Sequence, residues 1–178
     1  YVANKLMKGF IGSSNIDTNS RLCMASPTIA HKRAFGSDTV PGCYADIDHA
    51  ELIILTGSNT AWCHPILFQR IKKAKENNPA LKVVLIDPRK TDTCAIADLH
   101  LPIQSGTDAY LFNGLFAHLS KQKKLDLRYI ETHVEGYSHA IESAIESTPA
   151  ITKVAKICGL EDADIATFYQ WFSDTEGV

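Results

Sequence analysis

No Cys-x-x-Cys pair occurs in this sequence, and its five cysteines, Cys23, Cys43, Cys63, Cys94 and Cys158, are odd in number and widely spaced. That spacing excludes a disulfide scaffold and any locally encoded zinc or iron–sulfur site, and it fits a reducing compartment best. An excess of positive charge is also missing. The formal net charge is −2, and Lys and Arg are dispersed apart from the short Lys121 to Lys124 cluster. Nothing here would grip a phosphodiester backbone, so nucleic acid is not an expected partner. No apolar run approaches the ~20 residues of a membrane-spanning helix. Tyr1 to Phe10 holds no initiator Met, no long apolar run and no twin-Arg signal, which points to a cytoplasmic chain without a membrane partner and to an internal fragment of something longer. Internal repeats and low-complexity tracts are absent as well.

What is present is enough to fold: 178 residues, 45% of them apolar, suffice for one domain with or without a small appendage. Val2, Leu6 and Phe10 recur at helical spacing, ahead of the Gly9 to Gly12 region. After a polar stretch from Ser13 to Arg21, Ser26-Pro27 has the order of an N-cap followed by proline in the first helical position, and that helix should stop at Gly36. A loop with Pro41 and Gly42 leads to a helical turn near Asp46.

From residue 51 the pattern alternates. Leu52 to Leu55 is a continuous apolar run, as expected of a strand buried on both faces; it ends in Gly57-Ser58-Asn59-Thr60, before a helix from about Pro65 to Glu76. Leu81 to Ile86 repeats the run and ends in Asp87-Pro88-Arg89-Lys90-Thr91. A weaker strand around Leu99 to Ile103 ends in Gly106-Thr107-Asp108, ahead of a helix from Ala109 to about Ser120. Strand, polar loop and helix in that order predict an α/β fold, a doubly wound, mostly parallel, Rossmann-like sheet with flanking helices. The rest reads as a helical C-terminal part: Leu127 to Val134, Ser138 to Glu146, Ile151 to Ile157 and Asp162 to Phe172. The expected organisation is residues 1–50 as a helical and loop segment, 51–122 as the α/β core, and 123–178 as a helical extension packed on the same domain.

In open parallel sheets, ligands bind beyond the carboxyl ends of the strands, where loops and helix N-termini present free N–H groups. All three polar loops fall at that edge. Gly57 to Thr60 offers close backbone approach and short polar side chains for a phosphate, but it is neither Gly-x-Gly-x-x-Gly nor a Walker A loop. Asp87 can accept from ribose or a base, Arg89 adds a planar cation, and Asp108 could accept a pair of N–H bonds from a guanine edge. Each loop also has a plainer reading: Ser58 or Asn59 as a helix cap, Asp87-Pro88 as a turn, Asp108 as an N-cap. Their recurrence at one edge favours a nucleotide-bearing ligand. Cys23 lies close to Arg21 and to an expected helix start, where positive charge would favour a metal-ligating thiolate; the alternative is a buried, inert Cys. His64 could bond a phosphate or simply be capped or packed. Cys43, Cys63, Cys94, Cys158 and the Phe168 to Phe172 stripe read as core, and Lys121 to Lys124 as a solvated helix end.

The stretches Asn15 to Met24, Arg33 to Gly36 and Gly42 to Tyr44, then Gly57 to Pro65, Asp87-Pro88-Arg89 with Thr91, and Gly106-Thr107-Asp108, closely resemble the molybdopterin oxidoreductases of the nitrate reductase and formate dehydrogenase branch. The resemblance covers essentially the whole chain, in the family's order and spacing. It implies that Cys23 is the thiolate ligand to molybdenum, with Met24 lining the approach. It also implies that Asn19, Gly57, Ser58, Asn59, Thr60, His64, Asp87, Pro88, Arg89, Thr91, Gly106, Thr107 and Asp108 bind one guanine-dinucleotide arm of a bis-molybdopterin cofactor. Met24, where formate dehydrogenases typically place His, suits abstraction of oxygen from nitrate. The Thr60 to Pro65 version of the first loop is similar to that of assimilatory, cytoplasmic nitrate reductases. Pro27 departs from the small residue expected there.

The implied parent enzyme turns nitrate into nitrite by oxygen-atom transfer, takes electrons through an iron–sulfur cluster outside this segment, and completes its cofactor funnel with its remaining domains. The segment alone is expected to carry little or no molybdenum and to be inactive. Two alternatives stand beside this: a formate dehydrogenase relative with an atypical Met24, and a non-catalytic nucleotide-binding module that keeps the fold.

Overall fold

A computed structural model describes all 178 residues, which divide into two compact units, Tyr1–Cys43 and Tyr44–Val178. In the first unit a short helix α1 (Val2–Asn4) runs directly into a π-helical segment, Lys5–Ile11, closed by Gly12 in the left-handed conformation. Helices α2 (Ser20–Cys23) and α3 (Ala25–Phe35) follow, and Gly36 ends α3 in the same left-handed way. The expected cap at Ser26 does not form. Because α2 runs on to Cys23, Met24 becomes the N-cap of α3, and Pro27 is the third residue of the helix, within its first turn. Proline is tolerated there because the first four N–H groups of a helix have no partner within it anyway. No residue of this unit is buried, and Val2, Leu6 and Phe10 stay exposed.

The second unit opens with α4 (Asp46–His49) and then alternates: β1 (Leu52–Thr56), α5 (Thr60–Cys63), α6 (Pro65–Asn77), β2 (Lys82–Ile86), a 3₁₀ turn over Asp92–Ile96, β3 (Leu99–Leu101) and α7 (Asp108–Lys121). Four more helices complete it, α8 (Leu127–His133), α9 (Tyr137–Ser147), α10 (Ile151–Cys158) and α11 (Asp162–Asp174). The three strands are parallel in the order β1-β2-β3, with Leu52 beside Lys82 and Val84 beside Leu99. This is the expected α/β arrangement, with helices on both faces of the sheet.

Strand alternation sorts the apolar residues into two cores. On one face Leu52, Val84, Ile86 and Leu101 pack with Leu111 and Leu115 of α7, Val154 of α10, and Ile165, Phe168 and Tyr169 of α11. On the other, Val83 packs with Leu81, Ile96 and with Ile71 and Ala74 of α6, while Ile47, Ala50, Ile53 and Leu55 lie partly buried against them. The division between the units falls before α4, whose Asp48 pairs with Arg70 of α6. Both the α/β core and the C-terminal helices belong to the one second unit.

Tight packing has a visible cost in sequence freedom at Gly114. A Cβ there would lie 2.4 Å from Tyr169 Oη and 2.7 Å from Val154 Cγ2, so only glycine lets α7 approach α10 and α11 this closely. Tyr169 uses that contact, donating its buried hydroxyl to Leu111 O at 2.6 Å.

The cysteines depart from their expected burial. Cys158 is fully buried and Cys94 is half-buried, but Cys63 on α5 and Cys43 in the loop before α4 are exposed. An apolar side chain near a strand end does not have to be core when the short helix bearing it lies on the rim of the sheet.

Candidate functional site

The parallel register fixes where the loops lie. Thr56 pairs with Ile86 and Ile86 with Leu101, so all three strands end at one level. Two bonds stitch the exits together: Gly57 N–H donates to Ile86 O at 2.8 Å and Asp87 N–H to Leu101 O at 3.2 Å. The loops starting at Gly57 and Asp87 are therefore neighbours, and the Gly106 loop leaves the same edge beyond β3.

At the first loop, Gly57 takes φ +58° to turn out of β1, a conformation that costs any residue with a Cβ about 1–2 kcal/mol. Ser58 and Thr60 join hydroxyls at 2.7 Å. The N–H groups of Ser58 and Asn59 meet no acceptor within the protein. Asn59 is the first cap residue of α5, but through its carbonyl, which accepts from Trp62 and Cys63 N–H, and its side chain does no capping. His64 likewise caps α6 with its backbone; its ring is exposed and open to a ligand.

In the second loop the plain turn forms: Asp87 Oδ1 accepts from Arg89 N–H at 2.8 Å. Asp87 is nevertheless buried, and its second oxygen faces no protein donor. Pro88 and Arg89 are exposed. The Thr91 hydroxyl is shut away from water with no hydrogen-bond partner, which is costly unless a bound group supplies one.

The third loop turns at Gly106, φ +84°, and is tied down by Thr107 Oγ1 donating to Gln104 O at 2.6 Å and by Gln104 N–H donating to Cys158 O at 2.8 Å. Thr107, not Asp108, is the N-cap of α7, and Asp108 occupies the first helical position with its carboxylate exposed. The N–H groups of Gly106, Asp108 and Ala109 are unclaimed by the protein. Free backbone donors, two turns in positive φ, a buried carboxylate and an orphaned hydroxyl at one sheet edge make a donor and acceptor set that fits a phosphate-bearing nucleotide.

Sequence reasoning missed the residue that joins the first two loops. Thr93, fully buried in the 3₁₀ turn, accepts from Ala61 N–H at 3.1 Å and donates to Asn59 Oδ1 at 3.4 Å. Beside it Trp62 Nε1 donates to Asp92 Oδ2 at 2.6 Å, and His100 Nε2 lies 2.9 Å from Asp87 O. These pairs span 30, 32 and 34 residues in one group and 13 in the other, and no local motif announces them.

Asn19, Cys23 and Met24 belong to the first unit. Asn19 is the exposed cap residue of α2. Cys23 is exposed, and its Sγ lies 3.7 Å from Ser20 O, an acceptor for the thiol. The support expected from Arg21 goes elsewhere: Arg21 holds Asp17 through Nε at 2.8 Å and Nη2 at 3.0 Å. That guanidinium, with the Thr18 amide, keeps the Asp17 carboxyl below its usual range. Met24 and Arg21 line an open groove of about 440 Å³ with Thr18, Ser20 and Thr28.

The sequence matches the molybdopterin oxidoreductase family over residues 1–159. It is 46% identical over 178 residues to a nitrate reductase of Shewanella frigidimarina, covering 100% of the chain and 19% of that protein. It is also 46% identical over 173 residues to a nitrate reductase of Klebsiella oxytoca, covering 97% of the chain and again 19% of the relative. Relatives named periplasmic nitrate reductase and assimilatory nitrate reductase both occur among the matches. Among solved structures, acetylene hydratase from Pelobacter acetylenicus superposes with a TM-score of 0.75 at 25% identity, over 93% of this chain and 22% of that one. The chain thus spans about a fifth of the length of the relatives it matches, and with most of its residues inside the family match it belongs to the molybdopterin oxidoreductase family.

Proposed function

We propose that these residues form the cofactor-binding domain of a molybdenum-dependent nitrate reductase of the assimilatory, cytoplasmic type, in which the three strand-end loops hold a guanine-dinucleotide arm of a bis-molybdopterin cofactor. The observation that carries the reading is the gathering of unclaimed N–H groups, the buried Asp87 and the unpartnered Thr91 hydroxyl at one sheet edge, in a chain 46% identical to nitrate reductases. No helix is long and apolar enough to cross a membrane.

In this reading the roles divide. The N–H groups of Ser58 and Asn59 receive a phosphate, while the exposed His64 and Arg89 supply further donors. Asp87 and Asp108 accept from ribose hydroxyls and guanine N–H groups, and Thr91 gains the partner it lacks. The Gly106-Thr107 turn adds a contact to the arm, and Asn19 is a further cofactor-binding residue, in the first unit. These groups anchor and orient; they move no proton and no electron. Cys23 within residues 1–50 is the thiolate ligand, and Met24 walls the approach with an apolar side chain. When bound, the molybdenum centre would supply the two-electron chemistry that removes oxygen from nitrate. Residues 51–122 hold the nucleotide and 123–178 back the sheet, while the iron–sulfur cluster and the rest of the cofactor funnel come from the longer polypeptide. On its own the domain is inactive.

The full-length polypeptide, assayed with a reduced dye as electron donor, should reduce nitrate and should not oxidise formate. Formate oxidation without nitrate reduction would overturn the reading in favour of a formate dehydrogenase relative. Absence of both, with no molybdenum bound, would favour a non-catalytic module.

A further inference from the structure

One buried polar group lies outside the loop cluster and has no part in holding a nucleotide. His118, in the last turn of α7, has its Nε2 shut away from water with no hydrogen-bond partner in the protein. It borders a cavity of about 50 Å³ between α7, the turn joining α9 to α10, and α11. Lys121, Thr148, Pro149 and Tyr169 contribute polar groups to the same wall. The imidazole stacks at a tilt on the Tyr169 ring, with centroids 5.4 Å apart.

The hydrogen bonds already made decide what each wall group can still offer. Tyr169 Oη spends its one proton on Leu111 O, and Thr148 Oγ1 spends its one proton on Ala144 O. Both oxygens are left as acceptors only. Lys121 Nζ gives one proton to Pro149 O and keeps two to donate. No carboxylate lines the cavity, so a second cation would find no countercharge, and an anion would meet two oxygens that can only accept. Water matches the set, because it accepts from Lys121 and donates to two acceptors. The volume has room for about three waters, at roughly 10–15 Å³ each. The Lys121 ammonium favours a lone pair over a second proton at the cavity side of the ring, which makes Nε2 the acceptor and leaves the ring proton on Nδ1.

We propose that this cavity is a site for ordered water that donates to His118 Nε2 and pins the α9–α10 turn to α7 and α11, and that protonation of His118 releases it. An added proton arrives at Nε2, where it removes the acceptor and sets a second positive charge beside Lys121. Lys121 from α7 and Tyr169 from α11 are the other titratable groups on the wall; the residues from the α9–α10 turn and from α10 carry no charge, and α9 itself contributes none. Burial, and then the Lys121 charge, hold the His118 imidazole below its ordinary value of 6.5. The folded state therefore stays neutral where the unfolded chain has begun to charge, so the joint is intact above 6.5 and weakens as pH falls below it. The joint has a place in the wider architecture. The N-terminus of α7 carries the Gly106 loop, and Cys158 O at the far end of α10 receives Gln104 N–H from that loop. The water site fixes the spacing of the same two helices at their opposite ends.

NMR of the protein with nitrogen-labelled histidine tests this. At about pH 8, His118 should show the Nδ1–H tautomer, and long-lived water should cross-relax with protons around the cavity. As pH falls to about 5, that water signal should be lost. Over the same range, exchange of the Thr148 and Val154 amides, which donate to Ala144 O and Ala150 O on either side of the turn, should quicken relative to their intrinsic rates. His118→Gln offers an acceptor that does not titrate, so it should keep the water signal and lose the acid response. An Nε2–H tautomer, no long-lived water at about pH 8, or the same acid response in His118→Gln would each overturn the proposal. None of these readouts involves a cofactor or nitrate, so this site and the functional reading can fail separately.

Discussion

Replacing Thr93 by Val should loosen the candidate nucleotide site without touching any group that would contact a ligand. Val keeps the shape and burial of Thr93 but removes the oxygen that accepts from Ala61 N–H at 3.1 Å and donates to Asn59 Oδ1 at 3.4 Å. Asn59 is half-buried and can turn toward water, so its loss is small. Ala61 N–H is half-buried and has no other acceptor, and leaving it unpaired costs up to the about 1–3 kcal/mol of a buried donor. Taking about 2 kcal/mol, the thermal midpoint should fall by roughly 4–8 °C for a chain of this size. Thr93→Ser keeps the hydroxyl and gives up one methyl, a cost of about 1 kcal/mol or less. Differential scanning calorimetry of the 178-residue chain measures both variants. Amide exchange at Ala61 should quicken in Thr93→Val alone. A Thr93→Val midpoint within about 1 °C of the parent, or equal losses in Val and Ser, would refute the bridge between the two loops.

Two further outcomes concern the packed face. Gly114→Ala gains helix propensity of about 1 kcal/mol but forces Tyr169 Oη and Val154 aside, an overpacking cost of about 1–3 kcal/mol. Urea unfolding should show a net loss of up to about 2 kcal/mol that Tyr169→Phe partly relieves, and a stabilised variant would contradict the close approach. Tyr169 also sets an alkaline limit. Burial, with a smaller contribution from Cys158, raises its phenol above the ordinary value of 10.0. The folded state therefore keeps its proton where the unfolded chain has lost it, so this contribution to stability is intact below pH 10 and declines as pH rises beyond it. Tyr169→Phe should flatten that alkaline decline in unfolding measurements between pH 9 and 11, and an unchanged slope would show that another group is responsible.

What the sequence made legible followed from local rules. The runs Leu52 to Leu55 and Leu81 to Ile86 had to be strands buried on both faces, and Pro65 and Gly36 punctuated helices where the structure has them. The three loops could be placed at one sheet edge because parallel strands leave no other arrangement. The finer geometry depended on contacts that no local pattern records. Thr93 reaches Ala61 across the whole of α6 and β2. Arg21, whose charge the sequence offers to the Cys23 thiolate, is claimed by Asp17 four residues earlier. Ser26-Pro27 carries the signature of a helix start, but the start moved to Ala25 because α2 already led into it. The residue type of Cys63 points to the core, whereas α5 holds it exposed.

The proposed division of roles makes Cys23 the molybdenum ligand and leaves the strand-end loops only to anchor the cofactor. X-ray absorption at the molybdenum edge, on the full-length polypeptide and its Cys23→Ser variant, measures it directly. The variant should keep its folded state and lose one sulfur neighbour of the metal, with nitrate reduction falling at least about 100-fold, the scale of losing a metal-site group. A sulfur shell and an activity both unchanged in Cys23→Ser would contradict it.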